Sequence, residues 1–157
     1  SGGNSGSGNS DMNVGLDFDV VSPIVITSVG VFDHQQNGLN RAITFYLYNR
    51  DTQALITSSA FATGSGATLD GDSRFQAPTC PIVLPAGFHG TVAASGWAGN
   101  EKYGESATPT WTTSTGGGLI SFVGTGRTGT SGTFPTTVEA GPANRFASAT
   151  FKFAAAP

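Results

Sequence analysis

The chain has 157 residues and a formal net charge of −3, and its charged residues make up 11%, less than half of the share of about 25% that is usual for soluble proteins. With 38% hydrophobic residues and 11 Phe, it has enough apolar surface for a core, which argues against disorder. Its seven Lys and Arg residues are too few and too scattered to favour nucleic acid as a partner. Its apolar runs fall far short of the ~18 residues that a membrane-spanning helix needs, so we expect no membrane insertion.

Residues 1–12 are mostly Gly, Ser and Asn, which predicts a flexible tail or linker ahead of a single domain over 13–157. No basic and apolar leader opens the chain, so we expect either that a signal peptide has been removed or that the chain is an excised module. A Lys-poor composition rich in Gly, Ser, Thr and Asn is common in exported microbial proteins and predicts an extracellular, secreted or cell-surface location. The single cysteine, Cys80, allows no internal disulfide, which leaves an inert thiol or a bridge to another chain.

Apolar and polar residues alternate from the start of the domain, which is the pattern of half-buried β-strands. Over 14–20 every second side chain is apolar, and Asp17 and Asp19 fall on the opposite face. We expect them to be solubilising outer charges; the alternative is a second calcium site that they would form with Asp33. Turn-forming residues separate this strand from the next ones, so we expect an antiparallel arrangement. The further strands are predicted at 24–32, 42–48, 55–61, 73–76, 81–84, 88–95, 118–123 and 144–153.

About eight to ten strands without a significant helical stretch predict an all-β fold, a two-sheet antiparallel sandwich of jelly-roll type. A small closed barrel is the alternative architecture. The sandwich is favoured because the two long loops, 96–117 and 124–142, can then lie together at one end. The Phe and aliphatic side chains would fill the space between the sheets.

Sequence motifs of enzymes are scarce, since the chain has no nucleophile-elbow, zinc-protease or phosphate-loop motif. Residues 124–129 match Gly-x-Gly-x-x-Gly, but the segment 130–135 cannot begin the helix that a pyrophosphate site needs. Glu101 and Glu105 share a loop with aromatic residues and are the carboxylate pair that a glycoside hydrolase would use. We predict a protein without enzymatic activity and keep glycoside hydrolysis as the alternative.

The segment 96–113 holds both tryptophans of the chain together with a tyrosine and several polar side chains. Flat aromatic rings match the apolar C–H faces of sugars, and amide and carboxylate groups match their hydroxyls. The alternative is that the two tryptophans close one end of the sandwich as part of its core. The carbohydrate site predicted on this basis consists of Trp97, Asn100, Glu101, Tyr103 and Trp111.

Asp70 and Asp72 flank a glycine that permits a sharp turn, and calcium prefers such carboxylate oxygens. They are therefore the candidate ligands of a calcium ion. The alternative is that both residues only shape the turn. No other cofactor is expected.

Stretches of strand-and-turn pattern lie at 15–20, 24–33, 43–48, 84–88, 117–124 and 141–146. Together they resemble a β-sandwich module of exported bacterial surface proteins, of the kind that often carry a PEP-CTERM sorting tail. The resemblance covers roughly 13–153, and the residues 154–157 do not match the sorting tail. It implies an extracellular, non-enzymatic role, and it supplies no catalytic residue.

Two functions from different classes follow from these features. The first is a non-enzymatic extracellular binding module for carbohydrate or a surface glycan. The second is a structural subunit of a self-assembling surface layer, matrix or filament, whose partners are copies of itself. Low charge favours the second because little electrostatic repulsion then opposes close packing of exposed β-edges.

Overall fold

A computed structural model describes residues 7–8, 10–142 and 144–157 of the chain. These residues form 13 β-strands and one short 3-10 turn, His34–Gln36. The strands pair into antiparallel sheets in a sandwich-like arrangement, so the predicted fold class is confirmed. The strands are β1 Met12–Val20, β2 Ile24–Phe32, β3 Ile43–Asn49, β4 Leu55–Phe61, β5 Thr68–Asp70, β6 Ser73–Gln76, β7 Ile82–Leu84, β8 His89–Ser95, β9 Gly104–Glu105, β10 Ile120–Thr130, β11 Thr137–Val138, β12 Phe146–Ala147 and β13 Ala149–Ala155.

Two main sheets build the sandwich. The first has six strands in the order β11-β10-β1-β8-β3-β4, and the second has the order β13-β2-β6-β5 with β7 also paired to β2. The strands β9 and β12 form a separate two-stranded pair. Because β1 belongs to the first sheet, β2 to the second and β3 again to the first, the chain crosses between the sheets and places their apolar faces against each other.

The core lies between the two main sheets and is made of alternate side chains of strands such as β1 and β3. In β1 these are Val14, Leu16, Phe18 and Val20, all of them buried as the alternation predicts. Phe18 meets Phe151 of β13 across the interior, with 4.9 Å between the ring centroids. Each large apolar side chain buried in this way stabilises the fold by about 1.5–3 kcal/mol.

The outer face of β1 differs from the prediction. Asp17 is only 6% exposed, and its carboxylate accepts hydrogen bonds from Nε of Arg127 at 2.7 Å and from the hydroxyl of Thr91 at 2.5 Å. Asp19 is half-buried and accepts a hydrogen bond from Arg50 at 2.5 Å. The prediction of solubilising charges was wrong for Asp17 because β1 lies inside its sheet. Side chains of both neighbouring strands, β10 and β8, therefore reach over its outer face.

The predicted tail lies only in part within the described residues, at 7–8 and 10–12. Backbone N–H groups of Ser7 and Gly8 donate to the carbonyl of Tyr103 at 3.1 and 3.2 Å, and the N–H of Tyr103 donates to the carbonyl of Gly8 at 3.0 Å. This part of the chain is therefore bound to the domain, and β1 begins at Met12. Among the described residues, no helix is long and apolar enough to cross a membrane.

Candidate functional site

Two aromatic residues of the predicted carbohydrate site belong to the core. Trp97 is fully buried, and its indole N–H donates to the carbonyl of Ala94 at 2.8 Å. Its ring lies 6.0 Å from that of Tyr103, which lies 6.0 Å from that of Phe146, both in edge-to-face geometry. Tyr103 is 5% exposed. This burial leaves Trp97 and Tyr103 no surface for a ligand, and for Trp97 it fits the alternative of a core residue at the end of the sandwich.

Glu101 is also fully buried and binds the backbone instead of facing solvent. Its two oxygens accept hydrogen bonds from the N–H of His34 at 3.0 Å and the N–H of Asn40 at 2.6 Å. Burial raises the pKa of the Glu101 carboxyl above its ordinary value, against the opposing effect of these two N–H donors. Glu101 therefore holds the turn over 33–40 in place.

The two remaining polar candidates of this segment have different surroundings. Asn100 is exposed in the turn before Glu101. Glu105 is half-buried and accepts a hydrogen bond from Arg145 at 2.5 Å. The carboxylates suspected of glycoside hydrolysis, Glu101 and Glu105, are thus bound by different partners, one by the backbone and one by an arginine.

Trp111 is the aromatic residue of the predicted site that lines a cleft. Its indole N–H donates to the carbonyl of Asn144 at 2.5 Å, and the side-chain amide of Asn144 donates back to the carbonyl of Trp111 at 3.0 Å. A Cβ at Gly104 would lie only 2.9 Å from the indole, so the ring rests directly on that glycine. These contacts fix a half-buried indole at the wall of a cavity of about 320 Å³, here called the Trp111 cleft.

Asp70 and Asp72 line the same Trp111 cleft. The sequence placed these residues in a separate calcium site, and the structure brings them together with Trp111. Asp70 forms an ion pair with Lys152, and Asp72 accepts a hydrogen bond from the side-chain amide of Gln36. The cleft therefore combines an aromatic wall with carboxylate oxygens. Threonine hydroxyls add to its polar lining at Thr110, Thr112, Thr113 and Thr150.

Calcium at Asp70 and Asp72 stays a prediction. Within the described ranges, no group of three or more His, Cys, Asp or Glu side chains lies close enough to hold a metal ion. A cation bound at Asp70 would compete with the ammonium group of Lys152 for the same carboxylate.

Phe75 lines the cleft and Lys152 contacts two residues of its lining, Asp70 and Phe75, but neither was predicted from the sequence. Gly30 of β2 pairs with Phe75 of β6 on one side and with Thr150 of β13 on the other. A Cβ at Gly30 would come within 2.6 Å of the Phe75 ring, so the glycine is what lets this ring lie across β2. The ammonium of Lys152 lies 4.5 Å from the Phe75 ring centroid. The alternating pattern of 73–76 indicated a strand, but only the pairing of β13, β2 and β6 makes these residues neighbours.

Comparison with known proteins gives partial relatives of a single kind. No family model and no solved structure matches the chain. Over 93 residues the chain is 33% identical to the UDP-GalNAc:beta-1,3-N-acetylgalactosaminyltransferase 2 of Xenopus tropicalis. This alignment covers 58% of the chain and 18% of that relative. The protein of the same name from Danio rerio is 36% identical over 78 residues, covering 49% of the chain and 16% of the relative. The human protein of the same name is 32% identical over 95 residues, and the alignment covers 60% of the chain and 18% of the human protein.

These relatives correct one prediction. The expectation of a chain without enzymatic activity is contradicted, because the proteins that share about a third of the aligned positions are named as a glycosyltransferase. The match spans less than a fifth of the length of those relatives. The glycosyltransferase activity in their name therefore describes those whole proteins, of which the match covers only a small part.

Proposed function

We propose that the chain is a glycan-recognition domain that takes part in glycosyl transfer and binds its glycan in the Trp111 cleft. The observation that carries this proposal is the convergence of Trp111, Asp70 and Asp72 on one cavity of about 320 Å³. This volume lies at the lower end of the range of about 300–1,000 Å³ that is usual for small-molecule sites. It suits a short saccharide rather than a long polymer chain.

The chemistry of the cleft supports a sugar as ligand. The indole face of Trp111 offers a flat apolar surface for the C–H face of a pyranose ring. The carboxylates of Asp70 and Asp72 accept hydrogen bonds from sugar hydroxyls, and hydrogen bonds to charged acceptors are stronger than those between neutral groups. Lys152 beside Asp70 supplies a donor for ring or glycosidic oxygens.

The names of the relatives support a link to glycosyl transfer, since they describe an enzyme that transfers N-acetylgalactosamine. In our proposal the domain holds a glycan substrate or product for such a reaction. The low charge and the Gly-, Ser- and Thr-rich composition support an extracellular, secreted or cell-surface location for this binding.

Substitution of Trp111 tests the proposal. We expect Trp111→Ala to weaken glycan binding by at least about tenfold, because burying an aromatic face contributes about 1.5–3 kcal/mol and 1.4 kcal/mol is tenfold in affinity. Trp111→Phe keeps an aromatic face and should lose less. Binding is measured by titration calorimetry with short glycans that end in N-acetylgalactosamine, galactose or glucose.

The control is Tyr46→Ala, which removes another half-buried aromatic ring, on β3 and outside the lining of the cleft. The affinity of this variant for glycan should equal that of the wild type. Circular dichroism confirms that each variant is folded. Wild-type affinity in a folded Trp111→Ala variant, or the absence of binding to every glycan in the set, would contradict the proposal.

The edge of the six-stranded sheet favours self-association as a second function. β4 ends that sheet, contains no charged residue, and exposes Leu55 at 51% and Ile56 at 46%. Edge strands without charges or prolines are prone to pair with another chain. We therefore keep a self-assembling structural subunit as the second proposal, with β4 as its contact surface.

A further inference from the structure

A second cavity adjoins the Trp111 cleft. It has a volume of about 230 Å³ and is called here the inner cavity. Leu16, Ala149 and Thr150 line both spaces, as do Thr112 and Thr113. Because the two cavities share these five residues, they meet beneath the segment that follows Trp111.

The inner cavity has an apolar part of its wall from both sheets and a polar part from Thr112, Thr113, Ser114 and Thr150. β1, β8 and β10 contribute from the first sheet and β13 from the second, through Leu16, Val92, Ile120, Phe122, Phe151 and Phe153. Val92 and Ile120 are each 1% exposed and belong to the hydrophobic core. The inner cavity therefore reaches from the exposed segment 112–114 to the core.

The hydroxyl groups of this space can bind water, but the aliphatic and aromatic side chains that line the rest of it offer water no hydrogen-bond partner. This part of the wall favours an apolar group. An apolar cavity of about 150 Å³ stays dry and binds benzene. A cavity of about 230 Å³ is thus large enough for an apolar group of about six to eight carbons.

Hydrogen bonds hold the covering segment at both of its ends. On one side Trp111 is bound to Asn144 through two hydrogen bonds. On the other side the carbonyl of Thr115 accepts from the N–H groups of Gly118 and Ile120, each at 3.2 Å. A ligand that lies against Trp111 in the cleft can extend past 112–114 into the inner cavity, because the two spaces share lining residues there.

We propose that the inner cavity receives an alkyl or acyl chain attached to the glycan in the Trp111 cleft, so that the ligand class is an amphipathic glycoside. This inference rests on the proposed function for the polar half of the ligand. The inner cavity supplies the apolar half. Leu16, Ala149 and Thr150 mark the point where the sugar ends and the chain begins.

The test compares methyl and octyl β-glycosides of N-acetylgalactosamine, galactose and glucose with 1-octanol, all below the critical micelle concentration, by titration calorimetry. We expect one octyl glycoside to bind at least about tenfold more tightly than its methyl counterpart, since burial of about two additional methylene groups is enough for that gain. Val92→Phe, which fills the inner cavity, should remove the octyl preference and leave methyl glycoside binding unchanged. Ser114→Trp should also remove the octyl preference, because it fills the inner cavity from the exposed segment 112–114. It does so without enlarging a side chain of the core.

Val83→Phe is the matched control, because Val83 is 60% exposed and lines neither cavity. It should keep the octyl preference. Equal affinity for methyl and octyl glycosides overturns the inference and leaves the proposed function standing. An octyl preference that survives in folded Val92→Phe and Ser114→Trp variants also overturns it. Binding of octanol without binding of any glycoside overturns both this inference and the proposed function.

Discussion

Glu101 shows at the residue scale how a carboxylate can serve the fold. It is fully buried, and it accepts hydrogen bonds from the backbone N–H groups of His34 and Asn40, near the two ends of the turn over 33–40. Asp33, which is also buried, lies close enough for its negative charge to raise the pKa of Glu101 further. A buried carboxylate among such neighbours makes local stability depend on pH.

We expect wild-type stability to fall relative to Glu101→Gln as the pH rises above 4.5, the ordinary pKa of a glutamate. The pKa of Glu101 is raised in the folded state, so above pH 4.5 the folded chain binds more protons than the unfolded chain and loses stability until Glu101 has ionised. The free energy of unfolding in urea, measured for both proteins between about pH 4 and pH 8, gives the difference.

Titration of His34 occurs in both proteins and largely cancels in this comparison. Glu105→Gln, which removes a half-buried carboxylate paired with Arg145, is the control. A difference between wild type and Glu101→Gln that stays constant or grows in favour of the wild type would show that Glu101 ionises as readily when folded as when unfolded.

At the scale of elements, β4 is the strand whose free edge matters most. Gln76, from the opposite sheet, donates to the carbonyl of Ala60 at 2.9 Å and to the hydroxyl of Ser59 at 2.8 Å, which covers the end of β4. The start of the strand carries the exposed Leu55 and Ile56. Any strand pairing between two copies would therefore begin at this half of β4.

If β4 mediates self-association, Ile56→Lys should lower the fraction of oligomers, because a charge on an edge strand opposes pairing with another edge. Sedimentation velocity across a wide range of protein concentration measures the effect. Val21→Lys is the matched control, since Val21 is 57% exposed but lies in the turn between β1 and β2. A wild-type chain that remains monomeric at every concentration contradicts the second proposed function.

At the scale of the whole molecule, Asp17 connects several strands of the larger sheet. It lies on β1, accepts hydrogen bonds from Arg127 of β10 and Thr91 of β8, and lies 4.0 Å from a guanidinium nitrogen of Arg50 just after β3. Removing one member of a buried charge pair leaves the partner without compensation. The strands of this sheet are therefore joined by one carboxylate as well as by their backbone ladders.

We expect Asp17→Asn to lower the free energy of unfolding by about 3 kcal/mol, because the guanidinium of Arg127 would remain mostly buried without its charge partner. Asp51→Asn is the control. Its carboxylate is exposed, 3.0 Å from Nδ1 of His89, and its loss should cost less than about 1 kcal/mol. Urea unfolding of both variants measures these changes in the free energy of unfolding. Equal losses for the two variants would show that Asp17 contributes no more to stability than a surface charge.

The sequence alone determined the all-β class and much of the core. Alternation is a local property with a period of two residues, so Val14, Leu16, Phe18 and Val20 could be assigned to the interior without knowing the partner strands. It also placed Trp111, Asp70 and Asp72 among its candidates for ligand chemistry, but with them the buried Trp97, Glu101 and Tyr103. It could not show that Trp111, Asp70 and Asp72 share a cavity.

Tertiary structure decided the rest, because neighbours across a sheet depend on pairing between distant segments. In the order β13-β2-β6-β5, Lys152 reaches across two strands to Asp70, and the place of β1 between β10 and β8 buries Asp17. Trp97 and Trp111 have the same side chain and lie in the same predicted loop, 96–117, yet one fills the core and the other lines the cleft. Composition and spacing cannot distinguish them, since only the three-dimensional packing determines which ring remains accessible.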